Sequence, residues 1–228
     1  MKHINTTGVV LGRINYREAD RIIKVITPDF GKVSLMARGV RKIKSKLAGG
    51  IELFSISTLS FIQGSGEIST LTSTRLQTHF SNIIQDYPRT SVGYEVLSLL
   101  DKTTEDSCGT EYYHLLVNTL SYLDNLKLDS QITRCWFLGN LLKILGHYPN
   151  VVTDIDNIAL TESQQYDFDY QNMAFVTAST GRFNKNHIKI LRMLIDQNPT
   201  ILQHVSGVLD IMNDIQQILA RCIKQTTS

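Results

Sequence analysis

The spacing of apolar residues changes once along this chain of 228 residues. Before about Arg75, short apolar runs alternate with polar side chains and are separated by turn residues, as in a small β-sandwich or barrel. After Arg75, apolar residues recur at every third or fourth position, as on the buried face of a helix. The sequence therefore predicts an α+β protein, with a β-domain over residues 1–78 and an α-helical domain over residues 79–228.

Five strands are predicted in the N-terminal domain. They cover residues 8–16, 21–27, 32–38, 52–62 and 67–72. Five strands with a long connection between the third and the fourth suit a five-stranded Greek-key barrel of the OB type, which binds oligonucleotides on one face and in its loops. An SH3-like barrel fits the strand count almost as well, so the count alone does not choose between the two folds.

The helical domain contains one strongly apolar segment and one polar segment. Residues 130–145 are apolar around most of the helix circumference, which predicts a buried central helix ending at Gly146 and Pro149. Residues 150–183 are polar and irregular, apart from an alternating piece at 166–170 that fits a short hairpin, so the insertion is predicted to be either irregular or a hairpin. Two further helices are predicted near residues 187–196 and 201–224.

Charge is sorted along the chain although the formal net charge is only +2. Residues 1–50 carry 11 Lys and Arg against 3 Asp and Glu, a net of +8, whereas the remainder carries 12 against 18, a net of −6. The densest cationic run lies between the third and fourth predicted strands and contains no acid. Its cations are Arg38, Arg41, Lys42, Lys44 and Lys46.

A cationic connection at the edge of a small sheet predicts a surface for polyanions, nucleic acid first among them. Lys and Arg gain affinity by releasing counterions from phosphates, which requires charge density and no special constellation. Arg13, Lys24 and Lys32 crowd the same domain and are further candidates, and Tyr16 and Phe30 are candidates for base stacking. The alternative is a protein-interaction scaffold whose basic loop binds an acidic protein partner or RNA.

No catalytic or metal-binding cluster is apparent in the sequence. The six histidines are scattered, and the phosphate-binding and nucleophile-elbow motifs are absent. Cys108, Cys135 and Cys222 form no Cys-x-x-Cys pair, which argues against a thiolate metal site and favours a reducing compartment. The chain is therefore predicted to be a non-enzymatic, cytoplasmic protein without a cofactor, a signal peptide or a membrane span.

Several short motifs occur in an order that resembles one family. The segment Gly8-Val-Val-Leu-Gly-Arg-Ile-Asn-Tyr-Arg-Glu-Ala-Asp20 is followed by Thr27-Pro-Asp-Phe-Gly31 and Ala37-Arg-Gly-Val-Arg-Lys-Ile-Lys-Ser45, and later by Leu145-Gly-His-Tyr-Pro149. Together they resemble the bacterial RecO family of DNA repair proteins. The resemblance covers most of the chain, and it is strongest up to about residue 60 and weakest after residue 150.

The resemblance implies an OB fold, a helical domain and a role as a recombination mediator in the RecFOR pathway. Such proteins bind and anneal single-stranded DNA, and with RecR and the single-stranded DNA-binding protein they help to load RecA onto gapped DNA. Carried over by motif, the phosphate contacts fall on the five cations of the basic run with Lys32 beside them. Asp20 is expected to be structural and to pair with a nearby arginine. Duplex DNA is a further candidate ligand, and the nucleoid is the expected place of action during repair.

One departure from the family pattern concerns zinc. Many members carry four cysteines after the Leu-Gly-x-x-Pro motif, but no cysteine lies between Pro149 and His187. Because thiolates hold such a structural zinc ion, the family zinc site is predicted to be absent. The insertion must then be held by packing, for example through Tyr166, Phe168 and Phe175, or else be mobile. The resemblance also implies a groove in the helical domain for the acidic, hydrophobic C-terminal tail of the single-stranded DNA-binding protein.

Overall fold

The computed structural model describes residues 2–64 and 66–227. The chain forms two compact units, Met1–Asn125 and Leu126–Ser228. The first unit therefore extends beyond the β-domain predicted to end at residue 78, because it also contains the first two long helices. The domain boundary at residue 78 stays a prediction.

The first unit is built on five strands that form a closed barrel. They are β1 (Lys2–Tyr16), β2 (Asp20–Thr27), β3 (Gly31–Ala37), β4 (Ser55–Gln63) and β5 (Ile68–His79). Their order around the barrel is β1-β2-β3-β5-β4, with β3 and β5 parallel and the other neighbouring pairs antiparallel. This topology is that of an OB fold, so it decides between the two barrels that fitted the strand count.

Alternation of side chains, interrupted by irregularities in the β1–β2 and β4–β5 pairs, places one face of each strand inside the barrel. Ile23, Val25 and Leu35 point inward and are fully buried. The core is completed from every strand and from the β3–β4 connection, which contributes Val40 and Ile51. A buried aliphatic side chain of this size contributes about 1.5–3 kcal/mol. The β3–β4 connection is thus anchored in the barrel core at two points.

Two helices complete the first unit. Helix α1 (Tyr87–Thr103) packs against β1, and α2 (Thr110–Asp124) packs against β1, β2 and β3. The nearly buried Arg89 joins the two helices. Its guanidinium lies 3.3 Å from the Asp86 carboxylate and donates to the backbone oxygens of Leu123 and Asn125 at 2.7 and 3.0 Å.

The second unit is built around the predicted central helix. Helix α3 (Ser130–Ile144) is capped by Asp129 and buries Phe137, Leu141 and Leu142 completely. The remaining elements are β6 (Asn150–Asp154), β7 (Gln165–Asp169), β8 (Ala174–Ala178), α4 (Lys185–Asp196), α5 (Pro199–Leu202) and α6 (Val208–Thr226). Helix α3 packs against α4, α5 and α6, which confirms its predicted central position. Among the described helices, none has the length and apolar character needed to cross a membrane.

The insertion after α3 is a three-stranded sheet in the order β6-β8-β7, rather than only the hairpin that the sequence allowed. Its core is aromatic. The ring centroid of Phe175 lies 5.1 Å from that of Phe168 and 6.0 Å from those of Tyr166 and Phe183, and all three contacts are edge to face. Asp154 is also buried, and its carboxylate accepts hydrogen bonds from two backbone N–H groups and the Thr177 hydroxyl. Packing thus holds this sheet.

The family zinc site does not fit these residues. Aromatic rings fill the interior of the sheet, and the segment supplies no thiolate for tetrahedral coordination. Within residues 2–64 and 66–227, no three His, Cys, Asp or Glu side chains are grouped so that they would hold a metal ion. The absence of zinc from the protein itself stays a prediction.

We expect Phe175→Ala to lower the opening free energy of the small sheet by about 3–5 kcal/mol, because it removes the ring shared by three aromatic contacts. Hydrogen exchange of the β7 and β8 amides measures this directly. Val152→Ala, at an exposed position of the same sheet, is the control and should change the opening free energy by less than about 0.5 kcal/mol. Equal effects of the two substitutions would show that the aromatic cluster does not hold the sheet.

Candidate nucleic-acid interface

The connection from β3 to β4 carries an exposed cluster of positive charge. Residues 38–46 are here called the basic loop, and all five of its cations are exposed. None of them forms a salt bridge with any part of the chain that the structure describes, and Ile43 at the centre of the loop is fully exposed. The five positive charges of the loop are thus uncompensated.

The basic loop is pinned to the turn between β1 and β2. The Gly39 N–H donates to the Asp20 carboxylate at 2.7 Å, and the Arg41 N–H donates to the Ala19 carbonyl at 2.9 Å. Gly39 has φ +65°, a left-handed conformation that glycine adopts at little cost. Between these two bonds, the Val40 side chain enters the barrel core and is only 3% exposed.

These contacts show the structural role of Asp20, which was expected to be structural and to pair with an arginine. Its carboxylate instead accepts a hydrogen bond from the loop backbone. Further along, the Lys42 N–H donates to the Gly39 carbonyl at 3.1 Å and the Ser45 N–H to the Lys42 carbonyl at 2.9 Å. The backbone of the basic loop is therefore a series of hydrogen-bonded turns.

The three cations predicted outside the loop have acidic partners. Arg13 lies 2.9 Å from the Glu52 carboxylate. Lys24 lies 2.7 Å from the Asp101 carboxylate, and Lys32 donates to the Asp101 carbonyl oxygen at 2.9 Å with its carboxylate 3.6 Å away. The structure thus neutralises much of the charge that the sequence places beside the loop. DNA contacts by these three residues stay a prediction that the geometry does not favour.

The two predicted stacking residues lie at opposite ends of β2. Tyr16 is 38% exposed and precedes the turn that pins the basic loop, where the Arg41 guanidinium donates to the Arg17 carbonyl at 3.4 Å. Phe30 follows the far end of β2, roughly 25 Å along the strand from that turn. It is half-buried, and its ring packs edge to face on Phe61 at 6.2 Å. Tyr16 therefore joins the loop surface and Phe30 does not.

Phe30 and Lys32 instead line a cleft of about 370 Å³ that also includes Cys108. Partial burial raises the pKa of the Cys108 thiol, against the opposing influence of nearby Lys32. The thiol is thus less readily ionised than a free cysteine, and the cleft does not have the strongly cationic character of the basic loop.

Arg17 was not among the predicted contacts. It is exposed, has φ +48°, and its guanidinium lies over the Tyr16 ring at 5.2 Å from the centroid. Its position in the β1–β2 turn beside the basic loop depends on how β1 and β2 pair, with Tyr16 opposite Asp20. The sequence showed that Arg17 is one of the cations of this domain, but not that it lies beside the loop.

These features define an OB-fold protein with a pinned, uncompensated basic loop between its third and fourth strands. Family models match almost the whole chain. The model described as "Recombination protein O N terminal" matches residues 1–80, and "Recombination protein O C terminal" matches residues 84–228. The chain belongs to the RecO family.

Curated relatives agree with this assignment. The chain is 34% identical over 174 residues to the DNA repair protein RecO of Listeria monocytogenes serotype 4b, an alignment that covers 76% of this chain and 64% of the relative. It is 33% identical over 147 residues to that of Dehalococcoides mccartyi, covering 64% and 57%, and 30% identical over 145 residues to that of Halalkalibacterium halodurans, covering 63% and 56%. The chain thus spans less than two thirds of the length of these relatives.

We expect Asp20→Ala to release the basic loop, because a hydrogen bond from a backbone N–H to a carboxylate contributes about 1.5–3 kcal/mol. Limited trypsin digestion should then cleave between residues 38 and 46 about tenfold faster. Asp29→Ala is the matched control, since Asp29 accepts from Thr6 beyond the other end of β2. If both variants were cleaved at the wild-type rate, the pin would not determine the order of the loop.

Proposed function

We propose that this protein is a non-enzymatic DNA repair mediator that binds single-stranded DNA through the basic loop and promotes annealing. The observation that supports it most directly is the set of five exposed cations without acidic partners on a pinned loop of an OB barrel. Membership of the RecO family and relatives named as DNA repair proteins support the same role. The bacterial cytoplasm, at the nucleoid during repair, is the proposed place of action.

The proposed mechanism is electrostatic. Cations held within a few residues of one another displace condensed counterions from successive phosphates, and this entropy gain drives binding without reference to base sequence. Contacts confined to the backbone leave the pairing edges of the bases available to a complementary strand. Annealing then requires no bond-making chemistry from the protein.

Reversing the charge of the loop should weaken binding of single-stranded DNA. For Lys42→Glu plus Lys44→Glu, we expect the slope of log affinity against log salt to fall in magnitude by at least about 1.4, since each lost phosphate contact removes about 0.7. Fluorescence anisotropy of a labelled oligonucleotide at several salt concentrations measures affinity and slope together.

The control pair is Lys102→Glu plus Lys143→Glu, which changes the net charge equally at exposed sites outside the loop. It should leave the slope close to that of the wild type. If the two pairs behaved alike, the loop would not be the binding site. If the wild type bound no oligonucleotide even at low salt but bound an acidic protein, the scaffold function would replace the DNA function.

We further propose that RecR and the C-terminal tail of the single-stranded DNA-binding protein are partners. RecA is then an indirect partner, on which this protein acts through the other two. A groove of about 430 Å³ in the second unit suits such a tail. Its lining combines three cations with one acid and several apolar side chains: Lys185, Lys189, Arg192 and Glu162, with Leu160, Ile188 and Met193. An acidic, hydrophobic peptide complements both features.

Lys189 is the best position for testing the groove, because Lys185 pairs with Glu162 at 3.3 Å and Arg192 donates to the Val151 carbonyl at 2.8 Å. We expect Lys189→Glu to weaken binding of a synthetic tail peptide by about tenfold, through repulsion of its carboxylates. Lys143→Glu, exposed on α3 and outside the groove, is the control. Titration calorimetry compares the two, and equal affinities would place the tail elsewhere.

A further inference from the structure

The end of the barrel opposite the basic loop opens into the cleft that contains Phe30 and Lys32. This cleft is here called the barrel mouth, and the residues that line it belong to the first unit. Its floor is the end of the barrel core, where Ile4, Val33 and Phe61 lie. The barrel mouth is thus an apolar recess of about 370 Å³, a size in the range of pockets that bind ligands.

One hydroxyl group in the barrel mouth has no partner. Ser69 points into the barrel, as does the buried Leu71 two residues further along β5. Ser69 is only 8% exposed and lines the mouth, and its hydroxyl forms no hydrogen bond with any residue that the structure describes. Because a buried hydroxyl without a hydrogen bond costs free energy, the mouth offers this group to a ligand.

The rim of the barrel mouth is acidic. Asp29, Glu67 and Asp106 are exposed there, and none of them forms a salt bridge within the described part of the chain. The one cation among the described lining residues is Lys32, which is already bound to Asp101. The mouth therefore attracts a ligand that carries positive charge beside an apolar group.

The centre of the basic loop has this composition. The fully exposed Ile43 lies between Lys42 and Lys44, whose charges are uncompensated. The loop cannot reach the mouth of its own barrel, because Asp20 and Val40 hold it at one end of β2. The mouth lies at the other end, roughly 25 Å away along the strand. The two surfaces can therefore meet only between copies of the chain.

We propose that the barrel mouth receives the basic loop of a second copy of this chain. Ile43 of one copy lies on the apolar floor of the other, its flanking lysines face the acidic rim, and the Ser69 hydroxyl bonds to the backbone of the incoming loop. Because the loop and the mouth are different surfaces, the contact is head to tail and leaves a free loop and a free mouth at the two ends. Further copies can then add.

This contact covers the cations that the proposed function assigns to DNA, and its regulatory role rests on that function. The phosphates of a single strand and the acidic rim compete for the same lysines, so a strand displaces the second copy. One loop in one cleft buries far less than the roughly 1,200–2,000 Å² of a stable interface, so the association is weak and needs a high protein concentration. The DNA-binding surface is thus covered in concentrated protein until a single strand uncovers it.

Sedimentation velocity over a concentration series at low salt measures the self-association. We expect Glu67→Gln plus Asp106→Asn in the mouth, and Lys42→Glu plus Lys44→Glu in the loop, each to weaken it by at least about tenfold. The matched control for the mouth is Asp156→Asn plus Asp196→Asn, which removes two exposed acids of the second unit and should leave the association unchanged.

The apolar anchor is tested separately from the charges. Ile43→Ser keeps all five cations and should weaken self-association by about three- to tenfold, with the salt slope for oligo(dT) unchanged. Ile84→Ser, at an exposed position of the same unit, is its control and should have no effect.

Mixing the mouth variant with the loop variant tests the head-to-tail geometry. Each variant retains one intact surface, so an equimolar mixture should form dimers and nothing larger, although neither variant associates alone. A mixture that stayed monomeric, or a wild type that stayed monomeric at low salt, would refute the inference. If a monomeric wild type bound a synthetic peptide of residues 38–46, the mouth would be reassigned to a basic segment of another protein.

An oligo(dT) of about eight nucleotides separates this inference from the proposed function. It should dissociate the wild-type assemblies, and binding without dissociation would show that the basic loop is not the contact. If the wild type bound no oligonucleotide but associated through loop and mouth, the DNA function would fail and the self-association would stand. If it bound the oligonucleotide but never associated, the reverse would hold.

Discussion

The hydrogen bond between the Gly39 N–H and the Asp20 carboxylate determines where this protein presents its positive charge. Five cations within nine residues repel one another, and an unrestrained loop would spread them into solvent. The bond and the burial of Val40 hold the start of the loop against the β1–β2 turn. The Asp20 carboxylate thus accepts a hydrogen bond from the loop backbone instead of pairing with a cation. It orders the loop and neutralises none of its five charged side chains.

The helices of the first unit determine which other charges remain available. Asp101 on α1 contacts both Lys24 and Lys32, which would otherwise extend the basic surface along the barrel. The same helices bury Val9 and Ile26 but leave Ile14 exposed. Charge and apolar surface therefore remain exposed at the same end of the barrel, beside the β1–β2 turn.

Local patterns predicted much of this arrangement. Alternation in residues 21–27 and 32–38 identified β2 and β3, and the acid-free run identified the basic loop. The partners of Lys24 and Lys32 escaped prediction because Asp101 lies 77 and 69 residues away along the chain. Asp29, Glu67 and Asp106 line one cleft only once the barrel and its helices are assembled. The separation of Phe30 from the basic loop could not be predicted for the same reason, since it depends on the direction of β2; base stacking by Phe30 stays a prediction.

The small sheet of the second unit is held by packing, without the thiolates that a structural zinc site would require. A zinc site concentrates its stabilising free energy in four bonds and depends on thiol chemistry. Here Phe175 shares edge-to-face contacts with three rings, and Asp154 ties the β6 turn to β8 through Thr177. Such contacts are individually weak but add up over a buried surface, so the sheet's stability follows hydrophobic burial rather than redox state. An ordered sheet at this position is thus compatible with a segment that contains no cysteine.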